Sequence, residues 1–406
     1  MDHEQAGTDI LIIHGIGDQQ VYSTLDRFCR GLAAAREHGG HRVRFRHGFQ
    51  ARASGAEAWI DHHIAIDSDR QDRLRCHEYY WAHLPQRRMD WAGLYAWMRR
   101  VAAAARRHYP RLAQVVRRYG RADPGVQTGP LSFGRHLRWL SPALAVLDLI
   151  RLPRIPWIGG IINHLVGRGQ RIILQVIGDL AVYTNSDLRD EHYRVRRAIL
   201  DGAVERLRTI LMDTTTTRVV VVGHSLGSVV GYDAINRLLL LAHVDVELRA
   251  ALPKLQGFIT FGSPLDKMAL FFRYHSADDQ ILRQQLLAHH HRFKARSMIL
   301  ATPDQPLEDP FEADLDRHIR WTNLYSSDDP VSGRLDFYDC DENVACDLRR
   351  ALGHTRGRWG IAHRHWWDYE PLYAHVLACC DKTGATDTGS GTPRMDTSIP
   401  EKAVHS

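Results

Sequence analysis

Residues Gly223-His224-Ser225-Leu226-Gly227 form a G-x-S-x-G pentad. A serine at its centre is a candidate nucleophile, provided the chain makes a sharp strand-to-helix turn there. Four valines, Val219 to Val222, lead straight into the pentad, and SVVGYDAINRLLLLA (228–242) follows with a helical pattern. Side chains two positions either side of the serine would clash in so tight a turn, so glycine is expected at Gly223 and Gly227. A serine hydroxyl is a poor nucleophile without a base, and the base needs a carboxylate to hold its tautomer. In a strand–turn–helix hydrolase the chain order is serine, acid, histidine.

The acid candidate is Asp329 in LYSSDDPVSG, in the turn after a predicted strand. Asp328 beside it competes for the role, and Asp266 after FGSPL is a third option. The base candidate is His363 in GIAHRHWWDYEPLY, just before the last predicted helix, with His365 and His354 as rivals. An oxyanion hole needs two backbone N–H groups. Leu226, just after the serine, supplies one, and the His14-Gly15-Ile16-Gly17 turn supplies the other, with Ile16 as its donor. GIGDQQ lacks the third glycine of a dinucleotide fingerprint.

These groups need elements to position them. Ile10 to Ile13 read as a buried strand, and Leu25, Phe28, Cys29 and Leu32 recur at helical spacing after it. Segments 41–48, 74–84, 218–227, 256–264 and 319–333 read as further strands or strand–turn units. Segments 192–212 and 368–380 read as helices, and 170–184 keeps a helical apolar pattern. Strands alternating with helices predict an α/β fold with a mostly parallel sheet and helices on both faces. The division expected is a core over 1–84 and 168–380, an arginine-rich helical cap inserted at 85–167, and a disordered tail over 381–406.

The motifs together resemble a known group. ILIIHGIGDQ, VVVVGHSLGS, TFGSP, the DPVSG turn and AHRHWW look like a lipase-type α/β hydrolase. They are similar to those of bacterial lipases related to class 3 lipases and to inositol-deacylase-like proteins, and HEYYWAHL resembles an early strand of such sequences. The likeness covers about 8–84 and 170–377. It implies Ser225, Asp329 and His363 as the triad, Ile16 and Leu226 as oxyanion donors, and hydrolysis of carboxylic esters, with lipid esters as the substrate class. Arg364 follows His363 where the family pattern has a small polar residue.

Charge is unevenly placed. Between Pro85 and Ile155, 14 arginines face three acids, an excess of +11 that leaves the rest of the chain at −5 within a total of +6. These arginines suit a solvated helical cap that pairs with the acidic remainder of the chain or, with Trp91, Tyr95, Trp97, Trp139 and Trp157 among them, an anionic membrane surface; no motif supports nucleic acid. No metal or organic cofactor is expected. His289-His290-His291 lacks supporting ligands, and Asp278-Asp279 and Asp341-Glu342 read as solvated turns. The six cysteines, Cys340 and Cys346 included, are expected to be free thiols. No signal peptide and no uninterrupted apolar span is read, which predicts a cytoplasmic protein, peripheral at the membrane. Oligomeric state is not readable. Two other readings share the motifs: an acyltransferase or thioesterase with the same triad, and a membrane-associated binding protein on an inactive hydrolase fold.

Overall fold

Seven consecutive buried residues, GTDILII, make the first strand, β1 (Gly7–Ile13). Such a run has no solvent face, so it can sit only inside a sheet covered on both sides. The computed structural model describes residues 7–15, 20–54, 57–69, 73–84, 191–266, 282–283, 285–286, 291–295, 315–329, 331–357 and 361–381. Within them the strands are β1, β2 (Val43–Ser54), β3 (Glu57–Ser68), β4 (Arg73–Tyr79), β5 (Thr216–His224), β6 (Leu255–Phe261), β7 (Arg320–Tyr325) and β8 (Glu342–Ala345). The helices are α1 (Ser23–His38), α2 (Glu191–Met212), α3 (Leu226–Leu241), α4 (Val246–Ala251), α5 (Leu348–Arg356) and α6 (Pro371–Cys380). A 3₁₀ segment, Ala362–Asp368, precedes α6.

The strands form one sheet in the order β2-β3-β4-β1-β5-β6-β7-β8. β3 runs antiparallel to β2 and β4; the pairs from β4 through β8 are parallel. This is an α/β protein with a mostly parallel sheet. Alternation along the strands divides the core into two layers. Ile10, Ile12, Val220, Val222, Ile259 and Phe261 pack under Leu25, Phe28 and Leu32 of α1 and Leu372, Tyr373 and Val376 of α6. Leu11, Ile13, Val219, Val221 and Phe258 pack under α2, α3 and α4. In α2 the inward residues Ile199, Ala203, Leu207 and Ile210 recur every three or four positions, as one helix face requires.

The chain starts in the middle of the sheet. It builds β2, β3 and β4 to one side of β1, then β5 to β8 to the other. The helix after β1 covers one face and the helix after β5 the other. The carboxyl ends of β1 and β5 therefore flank a point where the connections diverge, and such points favour ligand sites.

Several strand expectations change, and β8, also unpredicted, begins at Glu342 where a solvated turn is expected. The strand read over 74–84 ends at Tyr79. β3, unpredicted, is a full antiparallel partner of β2, which itself runs six residues past position 48. The proposed cap at 85–167, the helical pattern at 170–184 and nearly all of the tail lie outside the described residues. No helix among those described is long and apolar enough to cross a membrane.

Candidate active site

Ser225 sits between the last residue of β5 and the first of α3, at φ 52° and ψ −127°. A positive φ at a residue with a Cβ is strained, by about 1–3 kcal/mol. Its surroundings hold it there. The Ser225 N–H donates to the Phe261 carbonyl (3.1 Å), and its own carbonyl accepts from the Ser228 N–H (3.0 Å). The same carbonyl accepts the Ser228 hydroxyl (2.5 Å), which lies 2.7 Å from the Ser263 hydroxyl. A hydroxyl has one hydrogen, and a carbonyl can only accept. Ser263 therefore donates to Ser228, Ser228 donates to Ser225, and the Leu265 N–H donates to Ser263 (3.2 Å).

The glycines are required by contact. A Cβ on Gly223 would lie 2.6 Å from Ser228 Cα, and one on Gly227 would strike the carbonyl oxygens of Ile13 and His14. One on Gly15 would lie 2.7 Å from the Ser225 Cβ. The start of α3 is thus pressed against the carboxyl end of β1. The N–H of Leu226, first residue of α3, is one of the donors that a helix start leaves without an intrahelical partner.

His363 lies in the 3₁₀ segment. Its Nε2 is 2.9 Å from Ser225 Oγ, and its Nδ1 is 2.8 Å from Asp329 Oδ2. A carboxylate only accepts, so Nδ1 carries the hydrogen and Nε2 presents its lone pair to the serine hydroxyl. Asp329 also accepts from the Trp366 indole at Oδ2 (2.7 Å) and from the Val331 N–H at Oδ1 (2.9 Å). Burial alone would raise the Asp329 carboxyl; His363 and these two donors outweigh it and hold the group below its ordinary value. Ser225, Asp329 and His363 are all buried. The line Asp329–His363–Ser225 can pass a proton from the serine to the imidazole and stabilise the resulting cation.

The turn after β1 is fixed by a second histidine. The Trp81 N–H donates to His14 Nε2 (3.2 Å), so the His14 Nδ1–H donates to the Gly15 carbonyl (2.7 Å). The Trp81 indole stacks on the His14 ring, 5.1 Å between centroids, and donates to its carbonyl (3.1 Å). Burial lowers the His14 pKa to about 4, which keeps this neutral tautomer. Ile16 and Gly17 lie outside the described residues.

The rival residues are occupied elsewhere. Asp328 accepts the Arg349 N–H (3.2 Å), and Asp266 accepts the Asp336 N–H (3.2 Å). His365 pairs with Asp368 at 2.9 Å, and His354 is exposed on α5. His291 pairs with Asp233 at 3.1 Å, while His289 and His290 lie outside the described residues. Among the described residues no group of histidines, cysteines and acids could hold a metal. All six cysteines are free.

Several residues at the site were not singled out from sequence: His224, Ser228, Gly262, Ser263 and Trp366. Trp366 had a signal, legible only once the segment is known to be 3₁₀. At three residues per turn, positions 363 and 366 line up and reach the same carboxylate. Compared with known proteins, the chain matches no family model, no curated protein and no solved structure.

Proposed function

We propose that this chain is a serine hydrolase of the α/β-hydrolase type that cleaves carboxylic esters, with lipid esters as its substrate class. One observation carries the reading. A serine on a strained strand–helix turn lies 2.9 Å from an imidazole nitrogen, and that imidazole is held at 2.8 Å by a buried carboxylate. The likeness of the motifs to lipase-type hydrolases supplies the substrate class.

In the proposed cycle His363 Nε2 takes the hydroxyl proton as Ser225 Oγ attacks the ester carbonyl. Asp329 holds the imidazole and stabilises its cationic form. The Leu226 N–H, with Ile16 as the second donor, holds the oxyanion, each such donor being worth about 3–4 kcal/mol. The imidazolium then protonates the leaving alkoxide. Water, activated by the same histidine, releases the acyl group from Ser225.

The test is covalent labelling. A fluorophosphonate probe should label wild-type protein at Ser225, and Ser225→Ala should lose both the label and the hydrolysis of a p-nitrophenyl acyl ester. Labelling and turnover that survive this substitution would overturn the reading.

A further inference from the structure

His224 precedes the nucleophile and takes no part in the proton path just described. It is buried, with its ring packed among three others. Centroid distances are 5.0 Å to Phe261, 5.1 Å to His363 and 5.4 Å to Trp367. The first two rings stack on it at 26° and 30°; Trp367 meets it at 62°. Its Nε2 lies 3.1 Å from the backbone carbonyl of His363. A carbonyl can only accept, so Nε2 carries the hydrogen and donates it. Nδ1 then bears the lone pair and faces Gly15, 3.3 Å from where a Cβ on that residue would stand.

We propose that His224 is a positioning residue for the hydrolytic reaction, setting the distance between Ser225 Oγ and His363 Nε2 by holding the His363 carbonyl. The proposal rests on the hydrolase reading. Its basis is a closed loop of contacts. Ser225 is covalently joined to His224, His224 is bonded to the His363 backbone, and the His363 ring returns to Ser225 Oγ. Nucleophile and base come from segments 138 residues apart. Without the His224 bond, no backbone hydrogen bond described at the site ties the His363 carbonyl to the elbow, and the base is held through its ring by Asp329 and by the packing of the 3₁₀ segment. Stacking between the two imidazoles also restricts rotation of the base about its own side-chain bonds. Burial and the neighbouring His363 lower the His224 pKa to about 3. The ring therefore stays neutral beside an imidazole that becomes positive during attack, and adds no repulsion to that step.

The experiment compares His224→Phe, His224→Asn and His224→Gln with wild type and Ser225→Ala, using a p-nitrophenyl ester and a fluorophosphonate probe. Phenylalanine keeps the stack and loses the donor. Asparagine is polar but too short for its amide to reach the position of Nε2. Glutamine places an N–H donor there. Misplacing nucleophile and base should lower kcat by about 100-fold in the Phe and Asn variants, with KM within about twofold and labelling slowed in parallel, while Gln stays within about fivefold of wild type. Should the Phe variant not fold, the Asn–Gln contrast decides. Equal kcat in the Asn and Gln variants would overturn this proposal alone. Wild-type protein that takes no label at Ser225 would overturn the hydrolase reading, and this proposal with it.

Discussion

Gly262 has φ 58°, and a Cβ built on it would lie 3.0 Å from the Trp366 indole nitrogen and 3.3 Å from Asp329 Oδ2. Both features forbid a side chain: the first by backbone strain of about 1–3 kcal/mol, the second by wedging apart the indole–carboxylate hydrogen bond. Gly262→Ala should therefore lower kcat by about tenfold or more while costing only about 1–3 kcal/mol of stability. Ester kinetics beside urea denaturation check this, and unchanged kcat in a destabilised variant would sink the contact argument. The same residue marks where sequence reading stops. Ser225, Gly223 and Gly227 were legible because the elbow's pattern is local, five residues between a valine run and a helical one, although the clashes that require the glycines come from Ser228 and the end of β1. Asp329 against Asp328, and His363 against His365, could not be separated that way. Each pair lies within two positions, and only the folded chain turns one member inward.

Unbroken aliphatic runs made strands legible, and a strand of mixed acids, histidines and apolar residues was not. β1 and β5 announce themselves as unbroken aliphatic runs. β3 does not, because EAWIDHHIAIDS carries acids and histidines, and His63 is buried against His77 of β4 with ring centroids 4.9 Å apart. The start of α1 is a second such case. Its N-cap, Tyr22, is left-handed (φ 65°) and makes no side-chain cap. Glu78 at the end of β4 supplies one from outside, its Oε2 accepting the Tyr22 N–H at 2.7 Å. Burial pushes the Glu78 carboxyl up to about 7 from an ordinary 4.5. The sign follows from linkage. Between those two values the folded chain holds a proton that the unfolded chain has lost, so stability falls as pH rises through this window. Glu78→Gln keeps an acceptor oxygen and removes the ionisation. It should be more stable than wild type at pH 8, by at most about 3 kcal/mol before screening by nearby water, with the advantage gone near pH 5. A Gln variant weaker than wild type at pH 8 would mean that the charge at the helix start outweighs its burial.

Across the whole molecule, buried neutral histidines reverse that trend. Asp9 of β1 is 2.6 Å from Arg75 Nη2 and 2.7 Å from His77 Nε2, both on β4, and it accepts the Thr216 hydroxyl of β5 at 2.8 Å. Arg206 of α2 donates to His77 Nδ1 (3.1 Å), which completes a polar seam joining three strands to the helix above them. Burial by itself would raise the Asp9 carboxyl; its bonds to His77 and Arg75 more than reverse this. A one-residue slip of β4 would turn Arg75 and His77 to the opposite layer, so the seam favours the observed register. Burial lowers His77, and takes His63 and His14 to about 4 and His224 to about 3, all from 6.5. Near pH 5.5 the unfolded chain protonates His14, His63 and His224 and the folded chain does not, so unfolding takes up protons there. Taking His14, His63 and His224, and setting Glu78 against them, leaves a net uptake of about two protons, with His77 acting in the same direction. Stability should therefore rise with pH by about 3 kcal/mol per unit between about pH 5 and pH 6, and level off above 6.5 as the unfolded histidines lose their charge. Urea-denaturation free energies taken across this interval give the slope directly. A flat or falling curve there would mean that these rings are solvated in the folded protein, and the tautomers assigned to His14 and His224 at the site would fail with it.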